Sequence, residues 1–278
     1  MISEFEVQEL LDGKNLITIG MKADEVRRRL HGARTTFIRV FEIHVEAPVA
    51  TLPPHTSAGE FRIVGRPASL DLSLDVVRRA RAVAGAVPLT GFSLSDLSTL
   101  NGSSLADTCR QLRAAGLDGI AETPLDELDD SGSISLAREA GLFVTRLTVN
   151  AAPDRDRGQL AARARALQAS IGGLRSFAPL PRVVSVASPT TGYDDVKQVA
   201  LARLMVDNIE SIQVDWQLYG PKLAQFALTV GADDVDSVSA VDPGTLGTRR
   251  SPLEEIRGNI RSAGLEPAER TARFEVLS

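Results

Sequence analysis

Residues Thr190–Ser237 read TTGYDDVKQVALARLMVDNIESIQVDWQLYGPKLAQFALTVGADDVDS and contain two helix-to-strand units in succession. Mostly apolar residues at helical spacing run over Tyr193–Asn208, and a β-prone run follows at Ser211–Trp216. A second helix is predicted at Pro221–Val230, because proline suits a first helical turn, and a strand is predicted at Val235–Val241. Helices and strands that alternate in this way predict a parallel sheet.

The junction between helix and strand recurs along the chain, each time with a glycine that can turn left-handed and close the helix. It reads AAGLDGI at Ala114–Ile120, EAGLFVTRL at Glu139–Leu147 and SAGLEP at Ser262–Pro267. The other predicted strands are Phe37–Val45, Phe61–Val64, Val87–Phe92, Gly119–Glu122, Phe143–Val149 and Leu174–Ala178. Eight strands, most of them followed by helices, predict an α/β fold of the single TIM-type barrel class.

One βα unit is incomplete in the sequence. The segment Glu46–Glu60, EAPVATLPPHTSAGE, has no helical periodicity and holds four proline or glycine residues, so it is predicted to be a loop. The barrel is therefore expected to lack its first crossover helix. Residues 1–36, with helical patterns at Ser3–Leu11 and Ala23–His31, are predicted to form an N-terminal helical extension, and residues 37–278 to form the barrel as one domain.

The composition is typical of a globular protein that works in the cytoplasm. With 278 residues, 43% of them apolar, and a net charge of −5, the chain shows no basic stripe for a nucleic-acid partner. No apolar run is long enough for a membrane span, and the start MISEFEVQELLDGKN does not read as a signal peptide. The single cysteine, Cys109, excludes an internal disulfide and fits a reducing compartment.

Three segments carry a resemblance to a known family: GMKADEVRRRLHGARTTFIR at Gly20–Arg39, LQASIGGLRSFAPLP at Leu167–Pro181, and Thr190–Ser237. They resemble the radical-SAM enzymes of the futalosine route to menaquinone, namely aminofutalosine synthase and dehypoxanthine futalosine cyclase. The resemblance implies a TIM-type barrel. In the family it also implies S-adenosylmethionine and a [4Fe–4S] cluster held by a Cys-x3-Cys-x2-Cys loop.

The sequence departs from this family in the loops that follow the strands. Where the cluster cysteines are expected, it reads VFEIHVEAPVATLPPHTS at Val40–Ser57. AETPLDELDD at Ala121–Asp130 and VNAAPDRD at Val149–Asp156 likewise replace the family's glycine-rich and Gly-His elements. Loops after the strands carry the chemistry of a barrel, and such a cluster needs cysteine thiolates. We therefore expect a relative that lacks the cluster.

Residues at or just beyond strand ends are the candidate ligand contacts, since strand ends of a barrel point toward its pocket. The predicted ligand-binding residues are Glu122, Asn150, Arg182, Asp215 and Trp216. Trp216 would stack on a purine or an aromatic acid, or else cap the core. Arg182 would pair a carboxylate with two hydrogen bonds, or else form a surface salt bridge.

A metal site is a second candidate, close to the position of the missing cluster loop. Glu42, His44 and Glu46 alternate along the first strand and share one face, and His55 follows in the loop. Imidazole and carboxylate ligands suit a mononuclear Zn²⁺, Fe²⁺ or Mn²⁺ ion. The alternative is that Glu42 or His44 lines the barrel with hydrogen-bonded partners, while Glu46, His55 and Glu60 are solvated.

Two further groups of polar residues lie near the eighth strand. The residues predicted to bind an anion, together with the N-terminus of the helix that follows them, are Gly244, Gly247, Arg249 and Arg250. Asp233, Asp234 and Asp236 fall at a helix-to-strand junction and are predicted to be turn and cap residues.

Three functional hypotheses follow from the sequence. The first is a non-catalytic, cluster-free protein that binds a futalosine-pathway ligand or a radical-SAM partner enzyme as an accessory to menaquinone biosynthesis. The second is an enzyme with substituted metal or acid/base chemistry on a similar substrate, and the third is the synthase activity of the family itself. The sequence makes no prediction of the oligomeric state or the identity of the ligand.

Overall fold

A computed structural model describes residues 13, 15–47, 51–100, 102–128, 131–151, 157–183, 190–244 and 251–277. The described residues form nine strands and nine helices. The strands are β1 (Arg34–His44), β2 (Glu60–Val64), β3 (Leu89–Ser93), β4 (Gly119–Glu122), β5 (Arg146–Val149), β6 (Ser176–Pro181), β7 (Ser211–Asp215), β8 (Asp234–Ser239) and β9 (Glu266–Glu269). The helices are α1 (Leu16–His31), α2 (Leu70–Ala84), α3 (Leu94–Ser98), α4 (Leu105–Ala115), α5 (Gly132–Glu139), α6 (Arg157–Ile171), α7 (Gly192–Met205), α8 (Trp216–Leu228) and α9 (Pro252–Ser262).

Strands β1 to β8 form a nearly closed parallel barrel. Their order is β4-β3-β2-β1-β8-β7-β6-β5, and every pairing between neighbours is parallel. The two outermost strands, β4 and β5, approach each other through parallel bridges that join Gly119 to Phe143 and Pro124 to Thr148. This arrangement confirms the predicted TIM-type fold.

The described part of the first crossover contains no helix, as predicted. Between β1 and β2, the described residues 45–47 and 51–59 contain turns and bends but no helical residues. Backbone hydrogen bonds tie this loop to the barrel instead, from the Gly59 amide to the Arg39 carbonyl at 2.9 Å and from the Ser57 amide to the Ala240 carbonyl at 2.8 Å. The next crossover is helical because Ser69 caps α2 and its apolar face, including Leu74 and Val77, is buried.

The predicted elements agree with the structure at most positions, with shifted ends. Helix α1 starts at Leu16 and so extends the predicted Ala23–His31 segment, and β1 begins before the predicted Phe37. The helix predicted at Ser3–Leu11 lies outside the described residues, and the division into residues 1–36 and 37–278 stays a prediction. In the part of the chain that the structure describes, none of the helices has the length and apolarity that crossing a bilayer requires.

A ninth strand, which is not among those predicted, closes the N-terminal end of the barrel. Strand β9 pairs in parallel with Arg34–Phe37 at the start of β1. The residue that follows it, Arg270, is buried and donates two hydrogen bonds of 2.6 Å to the Asp234 carboxylate. Its guanidinium lies 3.9 Å from the ring centroid of Phe274. The ion pair between Arg270 and Asp234 thus attaches the C-terminal segment to the interior of the barrel.

Candidate functional site

A cavity of about 710 Å³ lies at the C-terminal ends of the barrel strands. Each of the eight barrel strands, or the loop just after it, contributes to the lining. The ionisable residues of the lining are Glu42, His44, Arg62, Arg66, Asp96, Glu122, Glu127, Arg182 and Asp215. The C-terminal face is where barrels carry their active and binding sites. This cavity is therefore the candidate functional site.

Arg62 on β2 lies in the cavity floor with all five of its N–H donors satisfied. Its guanidinium donates to both oxygens of Glu60 at 2.7 and 2.9 Å and to both oxygens of Asp236 at 2.8 and 3.0 Å. The fifth bond, of 3.0 Å, goes to the Ser237 hydroxyl. A guanidinium has five N–H groups, so Arg62 has none left for a ligand.

Asp236 on β8 is the centre of the buried ion network. Besides Arg62, it pairs with Arg146 of β5, whose guanidinium also donates to the Ala121 carbonyl and to Glu122. Burial acts to raise the pKa of the Asp236 carboxyl, but Arg146 and Arg62 outweigh it and hold that pKa well below its usual range. Asp236 is therefore a charged residue of the barrel interior.

An irregularity in β8 brings two successive side chains, Asp236 and Ser237, within hydrogen-bonding distance of Arg62. The pairing register between β1 and β8 shifts near Phe37 and Arg39, and Ser237 has a φ of 58°, in the left-handed region. Beyond its bond from Arg62, the Ser237 hydroxyl donates to Asp215 at 2.9 Å. Bulges with such backbone geometry often re-aim side chains beside functional sites. Through Ser237, the bulge connects the ion pairs of Arg62 on β2 with Asp215 on β7.

Four of the five predicted ligand-binding residues lie together on the cavity. Arg182 donates to Asp215 at 2.5 Å and to Glu122 at 3.2 Å, and the side-chain amide of Asn150 donates to Glu127. Asp215 also caps α8 by accepting the Leu218 amide at 2.8 Å. Burial acts to raise the pKa of Glu122, but its neighbours Arg182 and Arg146 lower it overall. Arg182 thus makes an interior ion pair and not the surface salt bridge of the alternative prediction.

Trp216 is not among the residues that line the cavity. The strand β7 ends at Asp215, whose side chain starts α8, and Trp216 is the first residue of that helix. Its side chain is partly buried and packs against the hydrophobic core. The structure therefore matches the core-capping alternative and not the stacking one.

The residues predicted to bind a metal are only partly brought together. Glu42 and His44 line the cavity, whereas Glu46 and His55 are exposed and outside its lining. Among the described residues, no group of three or more His, Cys, Asp or Glu side chains is placed to hold a metal ion. Glu60, which is solvated in the alternative interpretation, is buried and pairs with Arg62.

The residues near β8 also differ from prediction. Asp234 and Asp236 are ion-paired members of the barrel interior and not turn residues. Asp233 lies just before β8, but it too is buried and ion-paired, with Arg203, and it accepts the Ile212 amide of β7 at 2.8 Å. Of the predicted anion site, Gly244 is described and does not line the cavity. The rest of that prediction, Gly247, Arg249 and Arg250, lies outside the described residues.

The only cysteine of the chain is unsuited to an iron–sulfur cluster. Cys109 is fully buried in α4, outside the cavity lining, and burial raises the pKa of its thiol to about 11. Cluster ligands are thiolates, and the family arrangement uses three of them. The residues present therefore do not fit a [4Fe–4S] cluster.

Sequence reasoning missed Arg62 and Arg146 as site residues. Each is an arginine within a short β-prone run, in EFRIV and RLTV. A charged residue inside a strand that is otherwise apolar indicates a barrel-facing side chain. Both strands carry this signal, but Asp236, with which both arginines pair, lies far away in the sequence.

Residues 176–278 match the family model described as the CofH/MqnC C-terminal region. The aminodeoxyfutalosine synthase of Streptomyces coelicolor is 29% identical over 244 residues, which cover 72% of this chain and 63% of that protein. The 5-amino-6-(D-ribitylamino)uracil–L-tyrosine 4-hydroxyphenyl transferase of Archaeoglobus fulgidus is 26% identical over 76% of this chain and 71% of its own. The chain thus spans about two thirds of the length of these relatives.

Solved structures of two other proteins share the fold. The FeFe-hydrogenase maturase HydG from Carboxydothermus hydrogenoformans has a TM-score of 0.67 at 14% identity, covering 98% of this chain and 77% of that one. Methylornithine synthase (PylB) has a TM-score of 0.61 at 13% identity, covering 96% and 94%. Residues 176–278 are thus similar to the CofH/MqnC C-terminal region, most of the chain is similar in sequence to an aminodeoxyfutalosine synthase, and the solved structures share its fold.

Proposed function

We propose that the chain is a cluster-free, non-catalytic relative of aminofutalosine synthase that binds a small hydroxyl-bearing ligand in the barrel cavity. The observation that carries the proposal is a cavity of about 710 Å³, whose lining includes many polar residues but not the single, buried cysteine. A volume in this range is typical of sites for small molecules. In this role the chain would serve as an accessory to futalosine-pathway menaquinone biosynthesis and supply its ligand to a radical-SAM partner enzyme.

The polar groups of the cavity favour binding over acid/base chemistry. Arg182 pairs with Asp215 at 2.5 Å, and Arg62 pairs with Asp236 at 2.8 and 3.0 Å. Neighbouring carboxylates outweigh burial and raise the pKa of both guanidinium groups. A general acid or base works best with a pKa near the operating pH, which ion pairing of this kind prevents. The same pairs hold the side chains in fixed positions, so a ligand meets a preorganised surface.

The class of ligand is inferred from the relatives and the lining together. One relative is named for 5-amino-6-(D-ribitylamino)uracil, and two others for aminodeoxyfutalosine and cyclic dehypoxanthine futalosine. The cavity offers apolar contacts from Phe92, Ile63 and Leu218 for a ring, beside carboxylate and amide groups for hydroxyls. A ligand in which a ring is attached to a ribosyl or ribityl group matches this arrangement of apolar and polar side chains.

Isothermal titration calorimetry on the protein purified in air and without added iron tests the proposal. We expect 1:1 binding of 5-amino-6-(D-ribitylamino)uracil or aminodeoxyfutalosine, and mass spectrometry of the denatured protein should detect a co-purified small molecule of this class. Leu218 forms part of the apolar wall of the cavity. Leu218→Trp should weaken binding about tenfold, because the larger side chain narrows the cavity.

Leu72→Trp provides a matched control for this experiment. Leu72 and Leu218 are both 52% exposed, but Leu72 lies outside the cavity lining. Its replacement should leave the affinity unchanged. Absence of heat with both compounds, together with no co-purified ligand, would show that the proposed function is wrong.

A further inference from the structure

The lining of the cavity carries an excess of negative charge. Five carboxylates and three guanidinium groups are present among its described residues. Two of those guanidiniums are already ion-paired: Arg62 has all its donors satisfied, and Arg182 is paired with Glu122 and Asp215. The Nη2 atom of Arg182 makes no hydrogen bond, but it is enclosed by protein and lies 3.7 Å from the Asp236 carboxylate. The third, Arg66, pairs with Asp96 at 3.3 Å at the exposed rim. A phosphate group would therefore enter a negative field without a free cation on the cavity floor.

Four of the five lining carboxylates already have partners. Glu122 and Asp215 are paired with Arg182, Asp96 is paired with Arg66, and Glu127 accepts from Ser95 at 2.5 Å. Among the described lining residues, the remaining carboxylate, Glu42, has neither a hydrogen bond nor an ion pair.

The position of Glu42 explains why it faces the cavity. It lies on β1 between Phe41 and Ile43, which are buried in the hydrophobic core. Because side chains alternate along a strand, Glu42 points to the opposite side, into the barrel, with His44 on the same face. Glu42 is half-buried there. A partly buried acceptor without a partner is a group that a ligand can satisfy.

We infer, on the basis of the proposed ligand-binding function, that Glu42 accepts hydrogen bonds from an amine or hydroxyl group of the ligand, and that the cavity discriminates against a phosphorylated form of it. An amine would add an ion pair to the hydrogen bond, and charge-assisted hydrogen bonds are the stronger ones. The ligand is thus a neutral or cationic compound rich in hydrogen-bond donors. This inference concerns the charge of the ligand, which the proposed function leaves open.

The electrostatic surroundings of Glu42 give the inference a pH dependence. Burial raises the pKa of the Glu42 carboxyl above its ordinary value of 4.5, and Asp215 and Asp236 raise it further, against the lowering effect of Arg62 and His44. The carboxylate forms as the pH rises through this raised pKa. The affinity for an amine should therefore increase as the pH rises above 4.5 and through the raised pKa of Glu42.

Three probes that share one polyol and differ in charge test the inference: 1-amino-1-deoxy-D-ribitol, ribitol and ribitol 5-phosphate. We expect ligand-observed NMR titrations to rank their affinities in that order, with the phosphate at least about tenfold weaker than the amine. Glu42→Gln should lower the ratio of the affinity for the amine to the affinity for ribitol about tenfold, because the substitution removes the ionised acceptor.

Glu127→Gln is the matched control, since it removes the same charge from the rim of the same cavity. It should change the preference by less than about threefold. Equal or tighter binding of the phosphate would overturn the inference while leaving the proposed function intact, as would equal effects of the two variants. Binding of none of the three polyols would contradict the proposed function, and the inference with it.

Discussion

Replacing Asp236 with asparagine should lower the free energy of unfolding by about 3–5 kcal/mol, the usual effect of removing one partner from a buried ion pair. Asp236 is fully buried and pairs with both Arg62 and Arg146. The variant leaves these two guanidiniums without their shared carboxylate. It also turns an amide N–H₂ group toward N–H donors, so the two arginines cannot both regain a full set of acceptors.

Chemical denaturation at several pH values measures this effect. The folded pKa of Asp236 is held below its ordinary value of 3.8. Its contribution to stability is therefore fully present above that value and is lost as the pH falls through the folded pKa. The difference between wild type and Asp236→Asn should be constant near neutral pH and should shrink below about pH 4.

A surface pair supplies the control for Asp236→Asn. Asp207 pairs with Arg165 at 3.1 Å, and both side chains are more than a third exposed. Asp207→Asn should cost less than about 1 kcal/mol. Similar losses in the two variants would show that the network around Asp236 does not stabilise the barrel as described.

Replacing Arg270 with methionine should also cost about 3–5 kcal/mol, because it leaves a fully buried carboxylate without its cation. Arg270 donates both of its 2.6 Å bonds to Asp234, which also accepts from Thr36 and Gln213. Those neutral donors do not neutralise the charge. Hydrogen exchange should also show faster exchange of the β9 amides, since Arg270 fixes the C-terminal segment to the barrel.

Arg273→Met is the matched control on the same segment. The Arg273 side chain is 45% exposed, lies 3.7 Å from Asp118 and stacks 4.6 Å from the ring centroid of Phe143. Its loss should cost about 1 kcal/mol or less. Equal destabilisation by the two methionine variants would contradict the role given to Arg270.

The sequence predicted the fold and part of the site for a physical reason. Glycine-closed helices followed by β-prone runs are local signals, so the eight strands and the loop at residues 46–60 could be read directly. The carboxyl ends of parallel strands share one end of a barrel. This rule was enough to predict that Glu122, Arg182 and Asp215 face one cavity, without knowledge of their contacts.

The rest depended on contacts that are remote in sequence. Arg62 and Asp236 are separated by 174 residues, and no local pattern shows that burial of one is balanced by the other. The short run of β9 became a strand because the start of β1 offered it a free edge. Trp216 turned to the core because Asp215 ends its strand by capping α8. The first two differences are tertiary effects, whereas the cap that Asp215 provides is local, between residues three apart.

Anaerobic reconstitution with ferrous iron and sulfide, followed by addition of S-adenosylmethionine and a reductant, is the most direct test of the account. A chain whose single thiol is buried with a pKa of about 11 should retain no stoichiometric iron after desalting and should form no 5′-deoxyadenosine. A brown protein holding a [4Fe–4S] cluster and cleaving S-adenosylmethionine would contradict it.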